Sequence, residues 1–261
     1  MNLGTIFKYI NYQLTACNEH DLHSPFLYNF YMELIKNKYP FADFKLLQQI
    51  RAQLIQNHTE LQITDFGAGS KKLNNNKRRI SDISKHGIAT QKQAEFLYRL
   101  LNAFQPKTII ELGTSVGLTT LYLAKSVPKS SIYTIEGCPN LFQFSNQLFQ
   151  KQQQKNIQQI QGNFDIEFPK LLQSLKSIDF IYIDGNHAYE PTMRYFKTAL
   201  TKKTPQTIMM FDDINWSKEM QKAWKEIQLN SEVTLSMDFF YFGLVFFRTE
   251  HKEKEHVVLK F

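Results

Sequence analysis

Ile109-Ile110-Glu111-Leu112-Gly113-Thr114-Ser115-Val116-Gly117-Leu118-Thr119-Thr120 decides how this chain is read. An apolar run ends in a glycine turn and passes directly into helical spacing, which spells strand, turn and helix start. Such a turn leaves free backbone N–H groups and a helix N-terminus where a small polar ligand can dock. Ile132-Tyr133-Thr134-Ile135-Glu136 follows as a second apolar run ending in a carboxylate. In open parallel sheets an acid about 20 residues beyond the glycine turn commonly binds ribose hydroxyls. The two signals together point to a ligand containing a nucleoside.

The glycine spacing separates the possible nucleosides. A dinucleotide fingerprint needs G-x-G-x-x-G so that the backbone can approach a pyrophosphate. Counting from Gly113, the second and third slots hold Ser115 and Leu118, so the pattern is acid-x-Gly-x-x-x-Gly. Glu111 opposes a pyrophosphate and tolerates an ammonium or a sulfonium. S-adenosylmethionine is therefore favoured over NAD. The stretch resembles motif I of the class I S-adenosylmethionine-dependent methyltransferases, and Glu136 matches their ribose-binding acid. A strand–turn–helix corner without a ligand is the alternative, and the placement of the second acid counts against it.

Outward from this stretch the chain alternates. Helical spacing covers Gln91–Phe104, Gly117–Ser126, Leu141–Gln152, Pro169–Leu175, Pro191–Leu200 and Lys218–Leu229, with Pro169 suited to a first helical position. Strand-like runs cover Thr108–Leu112, Ile132–Ile135, Ile157–Ile160, Phe180–Ile183 and Thr207–Phe211. Strands separated by helices imply right-handed crossovers and a parallel sheet. Val233–Met237 and Gly243–Arg248 have no helix between them and are predicted to form a hairpin. The expected fold is α/β: a doubly wound, Rossmann-like sheet, mostly parallel with an antiparallel C-terminal hairpin. It resembles the seven-stranded methyltransferase sheet from near Ile88 to near Glu250. Residues 1–88, with helical spacing near Ile6–Leu14, Phe26–Ile35 and Phe44–Ile55, then form an N-terminal helical cap, and residues 89–261 form the catalytic domain.

Composition bounds the rest. The chain has 261 residues, 43% of them hydrophobic, with 22 Phe and 12 Tyr, enough for one α/β domain and an extension. Cys17 and Cys138 make neither a disulfide framework nor a zinc spacing. There is no signal-peptide pattern and no apolar run of the ~18 residues a membrane span needs. A soluble cytoplasmic protein is expected, and a homodimer is compatible with the sequence. Part of the net charge of +7 sits between Lys71 and Lys85. A solvated loop explains that stretch, and a site for an anionic substrate or nucleic acid is the sharper reading. Aromatics are not interleaved with these charges, which weakens an RNA interface.

Two further acid clusters close apolar runs: Asp184-Gly185-Asn186-His187 and Asp212-Asp213-Ile214-Asn215-Trp216. Ligands in open α/β sheets bind beyond the carboxyl ends of strands, so Asp184, Asp212 and Asp213 are expected beside the glycine turn. Three close carboxylates repel unless a cation or a proton intervenes, and Mg²⁺ with its oxygen ligands suits them. The constellation resembles the metal-dependent small-molecule O-methyltransferases, of the catechol and macrolide-sugar types. That resemblance implies metal ligation by Asp184, Asp212 and Asp213 and a hydroxyl acceptor oriented on the ion. In the catechol type a lysine lies three residues after the first acid; here His187 stands there and is the candidate general base. Helix caps for Asp212 and Asp213, methionine-amine binding for Asp184, and adenine stacking for His187 remain open alternatives.

The same resemblance assigns cofactor contacts. Glu111, Gly113, Thr114, Ser115 and Gly117 line the methionine part, and Glu136, Gly137 and Cys138 the ribose. Asn163 and Phe164 lie at adenine, and Trp216 is a candidate wall of the acceptor pocket. The loop Thr64-Asp65-Phe66-Gly67-Ala68-Gly69-Ser70 mimics an acid–glycine turn, but no apolar helix face follows it. It reads as a turn or a lid. The expected activity is methyl transfer from S-adenosylmethionine to a hydroxyl of a small molecule. An RNA methyltransferase and a non-catalytic cofactor-binding scaffold are the competing readings.

Overall fold

The computed structural model describes residues 3–37, 39–64, 77–250 and 253–261, with side chains from residue 7 onward. The N-terminal apolar spacing becomes α1 (Leu3–Thr15), α2 (Pro25–Phe30) and α3 (Ala42–Ile55). Pro25, with no N–H to lose, opens α2, and a π-helical stretch over Tyr31–Lys36 prolongs it. β1 (Glu60–Gln62) and β2 (Lys77–Arg79) pair antiparallel ahead of α4 (Ile80–His86). The alternation then runs α5 (Gln91–Phe104), β3 (Thr108–Leu112), α6 (Leu118–Ser126), β4 (Ser131–Glu136), α7 (Pro139–Lys151), β5 (Ile157–Gln161) and α8 (Phe164–Ser174). It continues with β6 (Phe180–Ile183), α9 (Tyr189–Leu200), β7 (Ile208–Asp212), α10 (Lys218–Leu229), β8 (Leu235–Asp238), β9 (Phe242–Phe246) and β10 (Glu255–Val258).

The chain divides into two compact units, one of Tyr39–Ser177 and one of Met1–Lys38 with Ile178–Phe261. In the first, β3, β4 and β5 lie in that order and all parallel. Four of the five residues of β3 are buried, the mark of a strand covered on both faces. α3 and α4 share one apolar core with α5 and α6, in which Phe44 and Tyr98 meet edge-on at 5.1 Å.

In the second unit the strand order is β10-β8-β9-β7-β6. β6 and β7 are parallel, and β9 runs antiparallel to both β7 and β8, which is the expected hairpin. β10 adds parallel to β8, one strand more than the seven expected. Its four residues bury only Val257, so their sequence carries no strand periodicity. The tail beyond β10 is strapped down: the Tyr12 hydroxyl donates to the Leu259 carbonyl at 2.7 Å and accepts from the Phe261 N–H at 2.9 Å.

Helix α8 starts five residues before the expected Pro169. Asn163 caps it, its side-chain oxygen accepting from the Asp165 N–H at 2.8 Å, and Pro169 sits inside the helix. The cap outweighs the proline as a start signal.

Candidate functional site

In the Tyr39–Ser177 unit the turn between β3 and α6 is built from left-handed residues. Gly113, Ser115 and Gly117 have φ of 110°, 51° and 83°. A Cβ on Gly117 would lie 2.8 Å from the Phe149 ring, so α7 presses directly on this turn and only glycine fits. Glu136, at the end of β4, accepts from the Ser115 N–H at 2.8 Å with one oxygen and from the Cys138 N–H at 2.8 Å with the other. Burial pushes its pKa up while these backbone donors pull it down. The expected ribose acid therefore stands clamped to the glycine turn, with a cleft of about 370 Å³ alongside that Ser115, Arg78 and His86 help line.

Glu111 departs from expectation. It is fully buried, with 0% exposure, so it lies behind the turn and does not face a ligand. One oxygen accepts from the hydroxyls of Thr120 at 2.5 Å and Thr134 at 2.6 Å, and the other has no hydrogen-bond partner among the described residues. Thr134 also shares a 2.6 Å hydrogen bond with Thr114 in the turn. Glu111 thus supports the turn through hydroxyls, and desolvation raises its pKa to about 7. The sequence missed this because register, which pairs Glu111 with Thr134, decides which way the acid points. Cys138 is buried, and Asn163 is engaged as the cap of α8. Phe164 opens α8.

In the other unit the loops after β6 and β7 carry the remaining candidates. His187 Nε2 lies 3.7 Å from Asp184 and 3.8 Å from Asp213, between two carboxylates. Burial raises the Asp213 pKa and His187 lowers it. Asn186 and Asp213 both have positive φ, of 55° and 54°, which turns these loops sharply. Asp212 is buried and accepts from the Tyr182 hydroxyl at 3.0 Å. Among the described residues no three His, Cys, Asp or Glu side chains are arranged to hold a metal ion. In the structure Asp212 accepts from Tyr182, and His187 lies beside Asp184 and Asp213. No sequence signal marks Tyr182 as that partner. Trp216 is 73% exposed. The acid–glycine mimic at 65–70 and the basic residues 71–76 lie outside the described residues.

Residues 110–214 match the family model described as a methyltransferase domain. That span is similar to a methyltransferase domain. A catechol O-methyltransferase of Niastella koreensis is 29% identical over 125 residues, 47% of this chain and 56% of the relative. An uncharacterized protein of Sinorhizobium fredii is 21% identical over 168 residues, 59% of this chain and 18% of that protein. The chain thus spans little more than half of the first relative and a fifth or less of the second. Among solved structures, the O-methyltransferase TomG of Streptomyces achromogenes, in complex with SAM, matches at TM-score 0.55 and 18% identity, over 62% of this chain and 82% of that one. The cofactor-bound Rv0187 from MTB matches at TM-score 0.58 and 14% identity, over 90% of this chain and 99% of that one. These likenesses show the fold alone, and the family match is confined to the 110–214 span. Its matched residues take in the glycine turn, Glu136, Asn163, His187 and the Asp212–Asp213 pair. No helix among the described residues is long and apolar enough to cross a membrane.

Proposed function

We propose that the chain is an S-adenosylmethionine-dependent methyltransferase acting on a hydroxyl of a small molecule. The observation that carries this reading is Glu136 clamped to the Ser115 N–H at a left-handed glycine turn, inside a span matching a methyltransferase domain. The chemistry of that site fits the donor. A nearly buried carboxylate suits paired ribose hydroxyls, and a turn with no room for a Cβ at Gly117 lets the backbone approach a ligand closely. The turn Gly113–Gly117 would hold the methionine part, Glu136, Gly137 and Cys138 the ribose, and Asn163 with Phe164 the adenine. When bound, S-adenosylmethionine supplies an electrophilic methyl on sulfur, which leaves as the neutral thioether with the electron pair of the broken C–S bond.

The chain's own part is to remove a proton and to align. His187 takes the proton of the acceptor hydroxyl as its oxygen forms the new bond to carbon. With Nε2 turned to Asp184 and Asp213, Nδ1 is the nitrogen left for that proton, and the two carboxylates stabilise the imidazolium that results. If Mg²⁺ is bound, Asp184, Asp212 and Asp213 are the residues that would hold it, and it would polarise the acceptor oxygen. The catechol O-methyltransferase relative supports a hydroxyl acceptor.

Calorimetry with S-adenosylmethionine, then a methyl-transfer assay on phenols and sugars, tests the reading. Binding plus turnover is the expected result. Well-folded protein with no affinity for the donor or its demethylated product overturns it.

A further inference from the structure

With Glu111 fully buried behind the glycine turn, the methionine end of S-adenosylmethionine needs other partners for its two charges, an α-carboxylate and an α-ammonium. The turn Gly113-Thr114-Ser115-Val116-Gly117 carries no charged side chain. Beside it, in the same Tyr39–Ser177 unit, lies the cleft of about 370 Å³ that Ser115 helps line. Small-molecule sites run roughly 300–1,000 Å³. Ile63, Ile83 and Leu141, all buried, give the cleft an apolar lining suited to methylene groups.

The charges of the cleft come from β2 and α4. β2 alternates, so Lys77 and Arg79 share one face and Arg78 takes the other. Arg79 pairs with Glu60 across the ladder at 3.5 Å. Arg78 stands opposite Leu61, which packs on the core, and is the one base of the three that lines the cleft. Asp82 lines it from α4, with His86 one turn further on. Among the described residues no ion pair joins Arg78 to Asp82. One guanidinium and one carboxylate around an apolar patch complement a zwitterion, whereas Asp82 opposes a purely anionic ligand and Arg78 a purely cationic one. The segment is tied to the stretch that follows Glu136: the Asn140 side-chain amide donates to the Gln62 carbonyl at 2.6 Å, and the Thr64 N–H to the Cys138 sulfur at 3.4 Å. The Ile80 N–H, donating to the Thr59 carbonyl at 3.0 Å, fixes α4 to the same hairpin.

We infer that Arg78 and Asp82 bind the amino-acid end of the donor, Arg78 forking onto the α-carboxylate and Asp82 accepting from the α-ammonium. The inference rests on the methyltransferase reading above. It gives the hairpin and helix ahead of the 110–214 span a part in donor binding, and it fills the place that Glu111 leaves.

Calorimetry with two probes tests it: S-adenosylhomocysteine, which carries the amino acid, and 5′-methylthioadenosine, which keeps the nucleoside and thioether without it. Wild-type protein is expected to bind S-adenosylhomocysteine at least about tenfold more tightly. Arg78→Met and Asp82→Asn change exposed side chains, so each is expected to keep the melting temperature. Each is expected to weaken S-adenosylhomocysteine about tenfold and to leave 5′-methylthioadenosine within about twofold. Glu136→Ala, which strips the ribose partner that both probes share, is expected to weaken both. Unchanged S-adenosylhomocysteine affinity in either cleft variant, or an equal loss of both probes there, overturns the inference and leaves the donor reading standing. Failure of both probes to bind the wild type sinks the donor reading instead, and with it the role given to Arg78 and Asp82.

Discussion

Glu111, next to last in β3, and Glu136, at the end of β4, sit on neighbouring parallel strands among different hydrogen-bond donors, and burial raises the pKa of both. Glu136 is met by backbone N–H groups, which favour its charge; Glu111 is met by two hydroxyls in a fully desolvated position. Burial wins at Glu111 and lifts it from 4.5 to about 7. The folded protein therefore holds this proton across a range where the unfolded chain has lost it. Stability from this group is complete below the unfolded pKa, falls as pH rises between the two values, and is lost above the upper one. The full swing is about 3 kcal/mol. Denaturant midpoints at about pH 5 and about pH 8 should show the fall in wild type and a flatter dependence in Glu111→Gln. An equally steep variant would refute the assignment. Glu136→Ala strips partners from the Ser115 and Cys138 N–H groups and should weaken donor binding by at least about tenfold, read by calorimetry. His187→Ala should lower kcat by about 10²–10⁴-fold and leave donor affinity unchanged. Parallel losses in both would point to a structural histidine.

At the scale of elements the turn from β3 into α6 is the most constrained piece. Alanine at Gly117 meets both a left-handed backbone and the Phe149 ring, and should cost about 2–4 kcal/mol, seen as a drop in Tm of several degrees or more. This element was legible because its signals agree: an apolar run, glycines where φ must be positive, and helical spacing at once. The same agreement placed the ends of α5, β6 and α10 correctly. Where one signal stood alone, reading failed. Pro169 suggested a helix start, but the Asn163 cap set it. β10 has no alternation to read, since a single valine faces inward. Asp184 and Asp212 were found as strand-end acids, yet their partners come from rotamers and from Tyr182 and His187, which spacing does not encode.

On the scale of the molecule, the unit holding β6 to β10 is assembled from two distant stretches of chain. Tyr12, on α1, takes hydrogen bonds at both ends of Leu259–Phe261, and the Cys17 N–H and carbonyl pair with Val258 and Lys260 at 2.8 and 2.9 Å. Leu259 is fully buried. Removing residues 253–261 should therefore destabilise this unit by about 2–4 kcal/mol, with burial of Leu259 the largest part. Thermal melting of the truncated chain against the whole chain measures it. An unchanged melting curve would mean that the strap contributes nothing.

The strap has a consequence for biosynthesis. Translation delivers α1 and α2 ahead of all of Tyr39–Ser177, and only afterwards the β8–β9 turn and β9, against which Tyr12 and Phe30 lie. At ordinary elongation speed that is a wait on the order of ten seconds. Throughout it the ring partners of Tyr12 and Phe30 in the folded unit, Phe240 and Phe246, are still to be made, so exposed apolar surface on the leading helices is the cost of closing this unit last.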